Sequence, residues 1–326
     1  LNFGGDRMRG WLFSGTNKPL ELIEKEDPKA IPGHVVIEVK AAGLCHSDVA
    51  ALQDPGWMPL FPNGPVIMGH EFAGVIIEVG EGVENLKVGD RVGVNPMNRE
   101  TKVTAGYNYD GGYAEKVRVP ADQCVIIPDN VSFVAGAAST DAGITSYRAI
   151  FNIGQAKEGT KLGIIGVGGL GQFGLQMALI KGCEVYATDV SPEARELAKE
   201  LGAHKVYDTI LDMKEAECDV IVDFAGFGQT TADAVAAVKR EGTVVIVGMG
   251  KLESNINTYE MITKEVKLLG SNGGSVEDLK GVYDIFATGK MNTNLITIPF
   301  EEIDKGLEKL KNHEVKGRLV AVFDEE

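Results

Sequence analysis

The chain has 326 residues, of which 44% are hydrophobic and 24% are charged. This length and composition indicate a soluble protein of two domains, each large enough to bury its own core. The net charge of −15 would repel a phosphate backbone or an anionic membrane surface, so we expect neither a nucleic acid nor a membrane as a partner.

The first part of the chain, up to residue 142, is predicted to be rich in β-strands. Its β-branched runs are separated by Gly, Pro, Asp and Asn, a spacing typical of strands joined by turns. The predicted strands are Val35–Ala41, Gly74–Val79, Arg91–Val94, Ala114–Val119 and Cys124–Ile127.

From residue 143 onward, strand patterns alternate with helical periods. Alternation of this kind predicts a parallel, doubly wound sheet with helices on both faces. The predicted strands are Leu162–Ile165, Val185–Asp189, Val220–Asp223, Thr243–Val247 and Val266–Gly270. The predicted helices are Gln172–Lys181, Pro192–Leu201 and Gln229–Lys239.

The end of the chain predicts a strand, a helix and a last strand, at Leu295–Ile298, Phe300–Lys311 and Arg318–Phe323. We expect this tail to return to the first region. The predicted organisation is a discontinuous first domain, residues 1–142 and 287–326, around a second domain, residues 143–286.

A glycine-rich turn between a strand and a helix predicts a dinucleotide-binding site. Gly166 permits the tight turn, Gly168 lets the backbone approach a pyrophosphate, and Gly171 lets the helix pack on the strand. The first turn of the helix supplies unpaired N–H groups to the phosphates. The predicted cofactor-binding residues of this turn are Gly166, Gly168, Gly169, Leu170 and Gly171.

Asp189 ends the next predicted strand, where an acid accepts hydrogen bonds from the adenosine ribose hydroxyls. Its charge would repel a 2′-phosphate, so NAD is favoured over NADP. Taken alone, Asp189 is also compatible with a solvated acid at a strand end. Arg195 could in principle hold a 2′-phosphate, but it lies in a predicted helix and Asp189 would oppose that phosphate.

Two short motifs suggest a metal site in the first region. Cys45 follows a predicted strand and His70 precedes one. Cysteine and histidine are suitable zinc ligands, and loops at strand ends can direct them into a cleft. One cysteine and one histidine are by themselves equally compatible with a buried thiol and a capping histidine.

Five motifs, in this order, resemble the medium-chain, zinc-dependent alcohol dehydrogenases. They are Gly-Leu-Cys-His-Ser-Asp, Gly-His-Glu-Phe-Ala-Gly, Val-Gly-Asp-Arg-Val, Gly-Gly-Tyr-Ala-Glu and Gly-Val-Gly-Gly-Leu-Gly, and the resemblance extends from Met8 to Phe323. It implies an α/β protein with a GroES-like, β-rich catalytic domain and a Rossmann cofactor domain. It also implies NAD-dependent interconversion of a small-molecule alcohol and its ketone or aldehyde.

The resemblance assigns roles to five residues of the two short motifs. Cys45 and His70 would be zinc ligands, and Ser47 would hydrogen-bond the substrate oxygen. Asp48 would hold His70 from behind, as carboxylates often hold metal-bound imidazoles. Glu71 would lie close behind the metal and could enter its coordination sphere transiently.

Four further residues are assigned by the same resemblance. His46 and Arg318 would contact the cofactor pyrophosphate. Trp57 and Met58 lie in the segment where relatives line their substrate pocket, and their apolar character favours an apolar or aromatic alcohol. Packing of this loop on itself is an almost equal alternative for Trp57 and Met58.

The chain departs from the family at the third zinc ligand. Relatives often have a cysteine where this chain has Asp141, at the predicted start of a helix. Aspartate is a competent zinc ligand, and it is also a good N-cap residue. We favour Asp141 as the ligand, because Cys45, His70 and Glu71 are all retained; Glu71 is the alternative third ligand.

Two other departures concern metal stoichiometry and proton transfer. The chain has no cysteine between Pro96 and Asp110, so we expect one catalytic zinc and no structural zinc. Ala50 stands where many relatives have a proton-relay histidine. The Ser47 proton could then leave through the cofactor ribose or through a histidine such as His34.

Assembly and location are expected from the same comparison. Relatives pair through the edge of the Rossmann sheet, here Thr243–Val247 or Val266–Gly270, which predicts a homodimer or homotetramer. The four scattered cysteines form no Cys-x-x-Cys pair, and residues 1–30 lack the features of a secretory signal. We therefore expect a cytoplasmic protein.

Two rival functions are compatible with parts of the pattern. One is a metal-independent NAD(P)H reductase of the same superfamily, against which the retention of Cys45, His70 and Glu71 argues. The other is a non-enzymatic NAD(H)-binding protein, which no feature of the sequence favours.

Overall fold

A computed structural model of the protein describes residues 6–323. These residues form two compact units. The first unit extends to Asp141 and resumes at Asn294, and the second unit is Ala142–Thr293. Within the described part of the chain, every helix is too short or too polar to cross a membrane.

The strands are numbered in chain order. They are β1 (Arg7–Phe13), β2 (Glu21–Glu26), β3 (His34–Gly43), β4 (Val66–Ile67), β5 (Phe72–Val79), β6 (Arg91–Val94), β7 (Lys116–Pro120), β8 (Cys124–Ile126), β9 (Lys161–Ile165), β10 (Glu184–Thr188), β11 (Lys205–Tyr207), β12 (Val220–Asp223), β13 (Thr243–Ile246), β14 (Lys267–Gly270), β15 (Leu295–Pro299) and β16 (Arg318–Val322).

The α-helices are numbered in the same way. They are α1 (His46–Gln53), α2 (Phe133–Ala138), α3 (Ile144–Tyr147), α4 (Gly169–Ile180), α5 (Pro192–Glu200), α6 (Gln229–Ala237), α7 (Thr258–Lys264), α8 (Val276–Ala287) and α9 (Ile303–Lys311). Shorter 3-10 helices lie at Pro55–Leu60, Ala121–Gln123, Leu211–Ala216 and Phe300–Glu302, and π-helical turns at Ser139–Gly143 and Arg148–Ile153.

The first unit is built on two β-sheets that share one hydrophobic core. The larger sheet has the order β15-β16-β3-β5-β6-β8, with β7 also paired to β3, and the smaller has the order β2-β1-β4. Strand β3 is central to the larger sheet and is buried along most of its length. The tail reaches this sheet because β16 pairs antiparallel with β3.

The second unit contains the parallel sheet that the alternating pattern predicts. Its order is β11-β10-β9-β12-β13-β14, and every neighbouring pair is parallel. Alternate residues of a strand point to opposite faces. Accordingly, Leu162 and Ile164 belong to the core on one face, whereas Ile165 and Ile221 belong to the core on the other.

Several elements were not predicted from the sequence. Strand β2 is an exposed edge strand with the sequence Glu-Leu-Ile-Glu-Lys-Glu, so it has no buried face to produce an apolar alternation. The predicted helix Phe300–Lys311 begins as a 3-10 turn, Phe300–Glu302, before α9. Helix α1 was also missed, and it begins directly after Cys45.

Candidate metal centre and cofactor-binding turn

Cys45 occupies the N-cap position of α1, two residues after β3 ends. Its backbone is extended, and its N–H donates a hydrogen bond of 3.1 Å to the Asp48 carboxylate. Asp48 thereby closes the first turn of α1 on the residue before it. The thiol of Cys45 is held at a fixed point next to the end of the central strand.

His70 is placed by a backbone turn that requires glycine before it. Gly69 has φ +100°, and a Cβ atom there would lie 2.6 Å from the ring of Tyr113. Both the left-handed backbone and the close ring exclude a larger residue at position 69. This turn leaves His70 buried, only 7% exposed, just before β5.

Asp141 lies in the π-helical turn Ser139–Gly143, which directly follows α2. The N-cap of this helical segment is Ser132, whose hydroxyl accepts the N–H of Ala135. The N-cap alternative for Asp141 is therefore wrong, because the helical segment begins well before it. Single π-helical turns are frequent at functional sites, where they redirect a side chain.

The side chains of Cys45, His70 and Asp141 converge in the first unit. Their donor atoms all lie within 4.8 Å of one another. The Asp141 Oδ2 atom is 3.3 Å from Cys45 Sγ and 3.7 Å from His70 Nε2. A thiolate, an imidazole and a carboxylate are ligands that zinc accepts, and three of them leave a fourth position for another oxygen.

The electrostatics of these three groups favour a cation among them. Burial by itself raises the pKa of Asp141. His70 and Arg318 lower the pKa by more than burial raises it, so the net pKa lies well below the ordinary value. Burial and the Asp141 carboxylate raise the pKa of the Cys45 thiol. A divalent cation at this point would reverse that effect and stabilise the thiolate.

Asp48 faces the other nitrogen of the His70 ring. Asp48 Oδ1 lies 3.4 Å from His70 Nδ1, both atoms are buried, and neither has another hydrogen-bond partner. Burial lowers the pKa of His70, whereas Tyr107, Asp48 and Asp141 raise it, and the net direction is upward. A carboxylate at Nδ1 leaves Nε2 directed at the cluster, the arrangement common to metal-bound histidines.

Glu71 is fully buried but does not join the three donors. Its carboxylate binds the Arg318 guanidinium through two hydrogen bonds, of which the one from Nε is 2.8 Å long. Arg318 also reaches Asp141 Oδ2 at 3.2 Å. Burial lowers the pKa of Arg318, but Glu71 and Asp141 raise it, so Arg318 stays charged and bridges the two carboxylates.

Ser47 and His46 lie in the first turn of α1. The Ser47 hydroxyl donates to Cys45 Sγ at 3.2 Å, which places it beside the three donors. His46 is exposed, and its ring stacks on His313 with centroids 6.3 Å apart. Burial, His313 and Arg318 lower the pKa of His46, so the neutral ring is favoured near pH 7.

An aromatic series leads from the core of the first unit to His70, and sequence reasoning missed its last member, Tyr107. The Tyr107 ring lies 5.5 Å from the His70 ring and 4.9 Å from the Phe61 ring. No local signal marks Tyr107, because the contacts join distant segments.

Trp57 packs partly buried against the core, and Met58 is 37% exposed.

The glycine-rich turn of the second unit has the predicted local form. It joins β9 to α4, and Gly166 has φ +90°. A Cβ atom at Gly171 would lie 1.9 Å from the Gly166 carbonyl oxygen, whereas one at Gly168 would meet no atom within 4 Å. Gly171 thus allows close helix packing, and the backbone at Gly168 is open to a ligand.

Asp189 lies directly after β10 and supports the same turn. Its carboxylate accepts the N–H of Val167 and the N–H of Ser191, each at 2.8 Å. Arg195 belongs to α5, yet its guanidinium returns to donate to the Asp189 carbonyl at 2.8 Å. Although Arg195 belongs to a helix, its guanidinium therefore lies close to Asp189.

Comparison with known families matches both units. Residues 31–129 match the alcohol dehydrogenase GroES-like domain, and residues 169–288 match the zinc-binding dehydrogenase family. These matches, together with the parallel sheet, confirm the predicted fold class, a GroES-like domain combined with a Rossmann domain.

Individual relatives cover nearly the whole chain. An alcohol dehydrogenase of Geobacillus stearothermophilus is 35% identical over 98% of this chain and 100% of its own length. The NAD complex of acetophenone reductase from Geotrichum candidum has a TM-score of 0.83 at 28% identity, covering 98% of both chains. A cobalt- and zinc-bound thermostable alcohol dehydrogenase from Pyrobaculum aerophilum has a TM-score of 0.82 at 27% identity, covering 97% of this chain and 100% of its own.

Proposed function

Because this chain belongs to the zinc-binding alcohol dehydrogenases with a GroES-like domain, we propose that it interconverts an alcohol and its ketone or aldehyde with NAD and zinc. The single observation that most supports this activity is the convergence of Cys45, His70 and Asp141 within 4.8 Å. The relatives named above, one bound to NAD and one to zinc, support the choice of cofactors.

The donor set fits zinc and leaves one position open, so Cys45, His70 and Asp141 are the proposed ligands. Zinc bound there would supply Lewis acidity that lowers the pKa of a substrate hydroxyl. Asp141 contributes an anionic oxygen, and Arg318 donates a hydrogen bond to the same oxygen, Oδ2, at 3.2 Å. Glu71 remains the alternative third ligand, although Arg318 engages both of its oxygens.

Ser47 is the proposed group that takes the hydroxyl proton of the substrate. Its hydroxyl donates to Cys45 Sγ at 3.2 Å, so its oxygen lies beside the proposed zinc ligands. The Tyr107 ring lies next to His70, with ring centroids 5.5 Å apart. Proton transfer by a positioned side chain contributes roughly 10²- to 10⁴-fold to a rate.

The proposed NAD site comprises the glycine-rich turn and Asp189. When bound, NAD would supply the nicotinamide ring that accepts hydride. The exposed backbone at Gly168 and Gly169 suits a pyrophosphate, and the Asp189 carboxylate retains lone pairs for ribose hydroxyls beyond its two backbone bonds.

One experiment tests the activity directly. Chelator-treated protein should be assayed for NAD reduction against a panel of apolar, aromatic and polar alcohols, before and after zinc is restored. We expect turnover only with zinc and strongest with apolar or aromatic alcohols. Reduction of an activated double bond by protein free of zinc would instead favour the metal-independent reductase, and NAD binding without any turnover would favour a non-enzymatic protein.

Three further proposals concern the number of zinc ions per chain, the cellular compartment and the assembly of the protein. We expect one zinc ion per chain, because residues 96–110 contain no cysteine to form a second site. All four cysteines are free thiols, which supports a reducing compartment such as the cytoplasm. Strand β14 is an edge of the parallel sheet, which supports a homodimer or homotetramer formed there.

A further inference from the structure

Asp48 is connected to both proposed ligands that come from the short motifs. Its Oδ2 atom accepts the N–H of Cys45 at 3.1 Å, and its Oδ1 atom faces His70 Nδ1 at 3.4 Å. The strongest hydrogen bond to this carboxylate comes from elsewhere. The Tyr113 hydroxyl donates to Asp48 Oδ2 at 2.6 Å.

We propose that Tyr113 is a positioning residue of the metal centre, whose hydroxyl fixes the Asp48 carboxylate and through it the orientation of the His70 ring. This inference rests on the proposed zinc site. It gives a function to a residue that touches neither the proposed ligands' donor atoms nor the substrate.

Tyr113 is attached to the segment that carries His70 in two ways. Its backbone N–H donates to the Met68 carbonyl at 2.9 Å, and its ring occupies the space that a Cβ atom at Gly69 would need. The side chain is 0% exposed. Ring and backbone therefore fix the position of Tyr113 against residues 68 and 69, and the hydroxyl is left to act on Asp48.

Both hydrogen-bond partners of the Tyr113 hydroxyl are acceptors. Besides Asp48, the Gly43 carbonyl oxygen lies 3.2 Å away, at the end of β3. Burial and the Asp48 carboxylate raise the pKa of Tyr113 well above its ordinary value, so the hydroxyl keeps its proton and donates it. A hydroxyl has a single proton, and the shorter distance directs that proton to Asp48.

The hydrogen bond from Tyr113 to Asp48 matters more for the orientation of the His70 ring than for the stability of the fold. With Oδ2 held by Tyr113 and by the N–H of Cys45, the carboxylate of Asp48 keeps Oδ1 toward His70 Nδ1. Without the Tyr113 hydroxyl, one of these two bonds is lost and the carboxylate can rotate away. Partners of this kind behind a ligand typically change metal affinity by about 10- to 100-fold.

The test is the variant Tyr113→Phe in the full-length protein. It removes the hydroxyl and keeps the ring against Gly69. Zinc affinity should be measured by competition with a chromophoric chelator, and the cobalt-substituted protein should be examined by its visible absorption bands. We expect zinc to bind about tenfold more weakly, with shifted cobalt bands.

Tyr109→Phe is the matched control. Tyr109 lies in the same unit, is largely buried, and its hydroxyl has no hydrogen-bond partner among the described residues. It should leave zinc affinity and the cobalt bands unchanged. Equal losses in Tyr113→Phe and Tyr109→Phe would indicate a general effect of losing a buried hydroxyl and would overturn the proposal.

A double-mutant cycle decides whether Tyr113 acts through Asp48. Asp48→Asn should itself weaken zinc binding, and adding Tyr113→Phe to it should cause little further loss. Unchanged zinc affinity in Asp48→Asn, or additive losses in the double variant, would overturn the proposal even if Tyr113→Phe alone folds poorly. Failure of the unmodified protein to bind zinc would instead overturn the proposed function, and this inference with it.

Discussion

At the scale of single residues, Asp141 is the side chain that distinguishes this site. Its carboxylate offers an anionic oxygen and contacts Cys45, His70 and Arg318 at once. His70 and Arg318 hold the pKa of Asp141 well below its ordinary value against the opposing effect of burial. A carboxylate with a lowered pKa next to a thiol and an imidazole is suited to binding a divalent cation.

Replacement of Asp141 tests this role. Asp141→Asn preserves the shape of the side chain but removes the anionic oxygen, and Asp141→Ala removes the ligand altogether. In both variants we expect zinc content to fall by about tenfold or more and alcohol oxidation to be lost, while NAD affinity is retained. Metal analysis, steady-state kinetics and NAD titration are the measurements.

The exposed Asp122, in the same unit, provides the control Asp122→Asn, which should behave like the unmodified protein. Near-normal zinc content and turnover in Asp141→Asn would show that Asp141 is not a ligand. Glu71 would then be the better assignment, and Glu71→Gln should lose zinc instead.

At the scale of elements, the glycine-rich turn and the end of β10 form one structure. Asp189 accepts the N–H of Val167 inside the turn, so the acid that would bind the ribose also supports the turn. Arg195, near the start of α5, donates a hydrogen bond to the backbone carbonyl of Asp189. An acid and a guanidinium thus lie together at the proposed ribose-binding position.

Asp189→Gly should narrow the preference for NAD over NADP. Loss of the carboxylate removes the repulsion of a 2′-phosphate, and it also removes the proposed hydrogen bonds to the ribose of NAD. A hydrogen bond to a charged group contributes about 1.5–3 kcal/mol, which corresponds to roughly ten- to a hundredfold in affinity. Dissociation constants for both cofactors, measured by protein fluorescence, give the ratio.

Arg195 supplies the second arm of this experiment. Any NADP affinity gained in Asp189→Gly should be lost again in Asp189→Gly/Arg195→Ala, because the guanidinium beside position 189, which also lies 3.4 Å from Asp208, is a cation that can pair with a 2′-phosphate. Equal binding of NADP and NAD by the unmodified protein would contradict the assigned role of Asp189.

At the scale of the whole molecule, several exposed apolar side chains shortly precede one edge strand of the parallel sheet in the chain. Strand β14 is that edge, and α7 precedes it in the chain. Tyr259 and Ile262 of α7 are each 74% exposed, and Met249 and Leu252, before α7, are 76% and 80% exposed. Edge strands with exposed apolar neighbours are sites where a second chain can pair.

Leu269→Lys on β14 should therefore weaken self-association. A charge on the unpaired edge opposes strand pairing, so sedimentation velocity at micromolar concentration should show a shift from dimer or tetramer toward monomer. Val88→Lys is the control, since Val88 is 61% exposed in a loop of the first unit. A monomer in the unmodified protein would refute the assembly proposed here.

The sequence by itself determined the elements whose burial repeats at a fixed period. The parallel strands and helices of the second unit were predicted because short apolar runs such as Leu162–Ile165 alternate along the chain with helical periods. The glycine-rich turn was equally predictable, since its requirements for positive φ and close packing are local. Cys45, His70 and Asp141 came from motifs that resemble a family.

Only the tertiary structure decided how the side chains of the metal centre meet. The bond from Tyr113 to Asp48, the ring of Tyr107 on His70 and the pairing of Glu71 with Arg318 join segments far apart in the chain. No periodicity or turn rule encodes such contacts, because they depend on how separate strands pair. The position of Asp141 in a π-helical turn was likewise invisible, since one extra residue in a helical turn leaves no pattern in the sequence.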